Sequence, residues 1–225
     1  MTGLTVTETG FLLDITGREA TARSVIVATG TRAVPLDIAG AREFEGSKLF
    51  YEVAILLEQY PEPERIVVIG GGEAALDYSL TIAGQGAEVI LLVRGDGLRA
   101  NERLVEAVSL ADRIETIHGV VPVGLTEDAG EVVVETASVA GDRTFTGQAV
   151  IAAIGREPTL PALEGAILPA GSARVATPVP GLYLAGDVRH GSLGQAGMAV
   201  GDGLAAARQA ALYLRGTQPW VKERE

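Results

Sequence analysis

Four short runs of β-branched and aliphatic residues along the chain each close on glycine: VIVATG at 25–30, RIVVIGGG at 65–72, VIAAIG at 150–155 and LYLAGD at 182–187. Apolar residues at successive positions predict strands buried on both faces, the pattern of a parallel sheet. A glycine closing each run predicts a tight turn at the carboxyl edge, where open α/β sheets bind ligands. Two stretches read differently. Residues 4–30 and 125–155 alternate apolar and polar positions, with turn signals at Gly10 and Gly17 in the first and at Gly130 and Gly141 in the second. Each predicts a short antiparallel meander feeding one of the glycine-ended strands. The echo predicts two similar domains.

Residues 65–93 form a complete strand–helix–strand unit. A strand over 65–69 leads into Gly70-Gly71-Gly72, then a helix over about 73–83, a turn at 84–86 and a second strand over 88–93. The glycine pattern is G-x-G-x-x-A, with Ala75 in the third place. Gly70 permits the tight turn and Gly72 lets a pyrophosphate approach the backbone. Glu73 opens a helix whose N-terminus faces the phosphates, and Ala75 keeps that helix close to the sheet. The context predicts a dinucleotide site; a purely structural glycine turn is the alternative. The second strand ends in Arg94, followed by Gly95, Asp96, Gly97, Leu98 and Arg99. Two arginines after the strand suit a ribose 2′-phosphate and favour NADPH. Asp96 keeps NADH open, since an acid there binds a 2′-hydroxyl. The stretch NERLVEAVSLA at 101–111 predicts the next helix, and Pro61-Glu62-Pro63 predicts a hinge about which this domain would rotate.

Composition narrows the chemistry. The 225 residues contain no cysteine, which excludes a disulfide framework, a thiolate metal site and a catalytic thiol in this chain. Eighteen basic against 29 acidic residues give a net charge of −11, so neither nucleic acid nor an anionic membrane is expected as a partner. The opening MTGLTVTETG has no basic segment before an apolar one, and no apolar run is long enough to span a bilayer. A soluble, cytoplasmic protein is expected. His118 and His190 are expected to face solvent, although a loop histidine beside a cofactor can shuttle protons. No G-x-S-x-G, H-E-x-x-H or EF-hand spacing occurs, so hydrolase and metal readings have no support.

Over nearly its whole length the chain resembles the thioredoxin-reductase-like, two-dinucleotide flavoproteins of the pyridine nucleotide-disulfide oxidoreductase superfamily, which includes ferredoxin–NADP reductases. GGGEAALDYS at 70–79 is similar to that family's NADPH loop, with Ala74 for the usual hydroxyl residue and Asp77 for the usual acid. VRGDGLRA at 93–100 is similar to its His-Arg-Arg-x-x-x-Arg segment; it keeps Arg94 and Arg99 and has Val93 and Gly95 at the other two places. VIVATG and VIAAIG resemble the two crossovers between domains, which implies that Thr29, Gly30, Ile154 and Gly155 lie against cofactor. TPVPGLYLAGDV at 177–188 resembles the carboxy-terminal FAD motif. The resemblance implies that Gly186 and Asp187 meet the ribityl–phosphate arm. It also implies that Gln195 and Ala196, opening the last helix, meet the flavin ring, with Gly194 replacing the family's arginine.

The fold implied is α/β: a complete Rossmann-like NAD(P)-binding domain with its β-meander, inserted between two pieces of an incomplete FAD-binding Rossmann-like domain. The expected boundaries are 1–38 and 156–225 for the FAD pieces, 39–61 for a linker and 62–155 for the NAD(P)H domain. The function implied is hydride transfer from NAD(P)H, NADPH favoured, to FAD and on to an acceptor. Two departures qualify it. Without a Cys-x-x-Cys, no dithiol in this chain relays electrons to a protein disulfide. The chain also opens directly in the first meander, where the family begins with its own FAD-gripping βαβ unit. The expectation is that a partner chain or a homo-oligomer covers the apolar edges left on the strands near 25–28 and 182–185. A non-enzymatic NAD(P)H-binding subunit and a truncated flavoprotein remnant are the alternatives.

Overall fold

The computed structural model describes residues 3–164 and 174–216, and the chain divides into two compact units, 1–32 with 156–225 and 33–155. The first meander is β1 (Gly3–Thr7), β2 (Gly10–Ile15) and β3 (Arg18–Ala22), antiparallel with Leu4 opposite Leu13 and Phe11 opposite Ala22. Leu4 and Phe11 are buried on the dry face, whereas β3 opens at the exposed Arg18 and Glu19. β4 (Val25–Val27) follows, and the chain leaves this unit along β5 (Thr31–Ala33).

The second unit begins with a short helix, α1 (Ala41–Phe44), then β6 (Leu49–Phe50) and α2 (Val53–Gln59). The strand–helix alternation continues through β7 (Arg65–Ile69), α3 (Glu73–Gly84), β8 (Glu88–Val93), α4 (Glu102–Ser109) and β9 (Ile114–His118). The second meander is β10 (Val120–Asp128), β11 (Glu131–Ser138) and β12 (Arg143–Gly147), and it feeds β13 (Ala149–Ala152). The strands order as β6-β13-β7-β8-β9 with every pair parallel. Ile66 and Val68 of β7 pack with Leu76, Ile82 and Val108 from the helices, while Val67 and Ile69 pack with Val132, Val134 and Phe145 from the meander. Both faces of β7 are therefore covered, which is why its sequence is apolar without alternation. Each such buried side chain contributes about 1.5–3 kcal/mol relative to exposure.

Segment 39–61 departs from the linker expected there. Leu49 and Phe50 pair in register with Val150 and Ile151. Leu56 of α2 is wholly buried, and Leu36 and Ile38 pack into the same unit. A two-residue strand is too short to show a period, and its partner lies far along the chain. The prolines Pro61 and Pro63 likewise sit within this unit, between α2 and β7, so they do not mark its boundary; the crossings fall at 32–33 and 155–156.

The chain re-enters the first unit through β14 (Arg156–Pro158), which pairs with β5. The Arg156 Nε–H donates to Thr31 Oγ1 at 2.9 Å, and Arg32 meets Glu157 at 2.7 Å. β15 (Ala162–Glu164) adds to the meander beside β1, and β16 (Leu182–Leu184) runs parallel to β4. The short α5 (Asp187–His190) and the long α6 (Ala196–Leu214) complete the unit. β16 lies between two packed layers. Leu182 and Leu184 join Leu4, Phe11, Val25 and Val27, while Tyr183 and Ala185 join Ala206 and Ala210 of α6. β4 and β16 pair with each other, β16 is also bridged to Ala176 through Tyr183, and Ile26 on β4 is 40% exposed.

Candidate functional site

In the second unit the glycine turn sits at the carboxyl ends of β7, β8 and β13. The Gly70 N–H donates to Leu92 O at 3.0 Å, and the Ala153 N–H donates to Ile69 O at 2.8 Å. Gly70 has φ of 147°, and a Cβ there would fall 3.0 Å from both the Ala153 carbonyl carbon and the Ala75 side chain. Only glycine satisfies this turn. Gly72 is the N-cap of α3, and no side chain caps the helix. The N–H groups of its first turn therefore have no intrahelical acceptor and stand ready for an anion. Ala75 is wholly buried, as expected for close helix–sheet packing, and Ser79 one turn later donates to its carbonyl at 2.7 Å.

Segment 94–101 returns to this turn. The Arg99 N–H donates to Gly71 O at 2.6 Å, and Gly72 and Arg99 bridge as in a parallel ladder. Asn101 donates to Glu73 Oε1 from its backbone (3.3 Å) and from Nδ2 (3.2 Å), while its own Oδ1 caps α4 at Leu104 N–H. Glu73, exposed at the first turn of α3, thereby ties the glycine turn to the arginine segment. Both Arg94 and Arg99 are exposed. The structure thus brings together Gly70, Gly72, Glu73, Ala75 and Arg99, with Arg94 at the end of β8. Ile154, 40% exposed, and Gly155 follow Ala153 beside the turn.

A second constellation lies in the first unit. Thr29 and Gly30 follow β4, Gly186 and Asp187 follow β16, and the two strands are in register with Val27 beside Leu184. All four residues therefore stand at adjacent carboxyl ends. The Thr29 hydroxyl donates to the Thr159 carbonyl, and the Thr159 N–H donates to Gly30 O at 2.9 Å. Gln195 is the N-cap of α6, with Ala196 the first residue of the helix, and its side chain makes no capping bond. Asp187 lies against Gly194, the residue just before that cap.

No recognised motif marked the residue that holds this second constellation. Asp202 of α6 accepts the Gly186 N–H at 3.0 Å, the Arg189 guanidinium and the His190 Nε2 at 2.8 Å. Burial pulls the Asp202 carboxyl up, but the hydrogen bonds from Arg189, Gly186 and His190 outweigh it and hold the group below its ordinary value. One carboxylate thus anchors the whole 186–190 segment to α6. His190, expected in solvent, is half-buried in this network because its partner lies one layer away; His118 is exposed as expected. The available signal was a lone acid between Gly201 and Gly203 in a helix otherwise nearly apolar.

The turn at 70–75 fits a dinucleotide pyrophosphate, because the backbone leaves no room for a Cβ and ends on uncapped N–H groups. The constellation at Gly186–Asp187 and Gln195 places a carboxylate beside the uncapped N-terminus of α6. A glycine turn between a buried parallel strand and an uncapped helix, repeated in outline by a second strand–glycine–acid segment, defines an α/β protein with Rossmann-like domains. The chain belongs to the pyridine nucleotide-disulphide oxidoreductase family, whose pattern it matches over residues 5–203. It is 33% identical over 209 residues to a thioredoxin reductase of Treponema pallidum, covering 86% of this chain and 65% of that protein. It is 37% identical over 103 residues to a ferredoxin–NADP reductase of Symbiobacterium thermophilum, covering 44% of this chain and 30% of that one. The solved thioredoxin reductase of Lactococcus lactis superposes with a TM-score of 0.83 at 25% identity, over 96% of this chain and 74% of that one. The chain therefore spans less than two thirds of the length of these two curated relatives. Among the described residues no helix is long and apolar enough to cross a membrane.

Proposed function

We propose that the chain is the NAD(P)H-binding and flavin-facing part of an oxidoreductase that moves hydride from NADPH to FAD and on to an acceptor reached without a dithiol relay. The observation that carries this reading is the presence, in one chain, of two strand-ended glycine sites with different chemistry. The turn at 70–75 offers backbone donors to a pyrophosphate, and the segment at 186–196 offers a carboxylate and an uncapped helix. Gly70, Gly72 and the N-terminus of α3 hold the nicotinamide cofactor's phosphates, with Ile154 and Gly155 beside them. Arg94 and Arg99 select the 2′-phosphate. Thr29, Gly30, Gly186, Asp187, Gln195 and Ala196 face FAD, which supplies the two-electron chemistry when bound. A partner chain or a second copy completes the flavin side. In support, the β4–β16 pair is short, and Val200 and Leu204 on α6 are 65% and 71% exposed.

The test is a visible absorption spectrum and solution mass of the purified chain, before and after adding FAD, followed by anaerobic NADPH. Flavin bands that bleach support the proposal. A colourless protein that still binds NADPH supports the second reading, an NAD(P)H-binding subunit, which the fully layered sheet of the second unit favours. Binding of neither cofactor overturns both.

A further inference from the structure

We infer that His118 is a third recognition residue for the cofactor's 2′-phosphate, acting beside Arg94 and Arg99; the inference rests on the NADPH site proposed above. His118 ends β9 in register with Val93, the last residue of β8. Residues in register on parallel strands share a face, and the packing here follows that rule. Ile114 and Val89 lie with the helices, whereas Ile117 and Leu92 lie with the meander. Val93 is on the helix side, and a Cβ on Gly71 would fall 2.8 Å from its Cγ1. His118 therefore stands one strand farther out on the face where the glycine turn closes.

The loop between the two arginines is held at both ends. At one end the Arg99 N–H reaches Gly71 O; at the other, Gly95 O accepts the Gly119 N–H at 3.4 Å and lies 3.3 Å from His118 Nδ1. A carbonyl only accepts, so that contact requires the proton on Nδ1. Nε2 then accepts in the neutral ring and donates in the imidazolium. His118 is exposed. The adenosine ribose of a dinucleotide reaches the end of the second strand of the unit, which here is β8, and His118 is the neighbour of that end. A phosphate received on this loop by two guanidinium groups gains a third charge-assisted donor from Nε2–H.

The experiment is calorimetric titration of the full chain at about pH 6, with adenosine 2′-monophosphate and adenosine 5′-monophosphate as probes. The wild type is expected to prefer the 2′-isomer. H118Q is expected to lose about three- to tenfold in affinity for it, with 5′-monophosphate binding unchanged. H118K, which keeps a cation and loses the bond to Gly95, is expected to retain the preference. An unchanged H118Q overturns the inference and leaves the arginine site standing, as does an H118K as weak as H118Q, which reduces His118 to a loop anchor. A wild type that shows no preference, with R94A/R99A no different, overturns the 2′-phosphate reading and this inference with it.

Discussion

The Asp187 carboxyl group occupies the space in which a side chain on Gly194 would begin: a Cβ built there falls 2.5 Å from Asp187 Cγ and 3.1 Å from its Cβ. Both residues stand at the mouth of α6, and the family's arginine cannot be placed at 194 without moving the acid. G194A is expected to turn Asp187 away and to weaken FAD binding several-fold, leaving adenosine 2′-monophosphate binding in the second unit unchanged. Flavin fluorescence titration beside calorimetry separates the two. Unaltered FAD affinity would show that the position of Asp187 does not matter to the flavin.

Asp202 makes the first unit sensitive to acid. Its folded pKa lies below the ordinary carboxylate value, so its contribution is fully present above that value and is lost as pH falls through the folded one. D202N removes a charge that holds Arg189, whose side chain is 4% exposed, and is expected to cost about 2–4 kcal/mol near neutrality. The deficit should shrink as pH falls through the folded value, because the wild type loses the same charge there. Urea unfolding of both proteins across that range checks it, and a pH-independent difference would refute it.

Arg94 and Arg99 set cofactor preference if the 2′-phosphate sits on their loop. R94A/R99A is expected to weaken NADPH binding by about 10- to 100-fold and leave NADH binding within about twofold, since each lost guanidinium removes a charge-assisted pair. Equal weakening of both cofactors would mean that the substitutions disturb the loop rather than the recognition.

Leu56 tests whether segment 39–61 belongs to the second unit. It is wholly buried in the cluster formed by α2, α3 and the parallel sheet. L56A is expected to cost about 2–5 kcal/mol through lost burial and the cavity left behind. A shift of the urea midpoint far below that range would return the segment to the status of a linker.

The strand–glycine–helix unit was legible because its signals are local. β7 and β8 span 65–69 and 88–93 as the apolar runs indicate, and α3 runs one residue beyond the helix expected over 73–83. Tight turns, helix starts and strand periods are written in neighbouring residues. His118 had no such signature, because its significance lies in its register with Val93 on another strand.

The sequence by itself determined the buried parallel strands, the two meanders and the glycine turn, since each rests on backbone preferences and on the burial of adjacent side chains. Only the tertiary structure decided that Leu49 and Phe50 form an edge strand beside Val150 and Ile151, and that Asp202 anchors Gly186, Arg189 and His190. Those partners lie 12 to 16 residues apart in the Asp202 network and much farther apart in β6. Pairings of that kind depend on which layers meet when the chain packs, and no local periodicity encodes them.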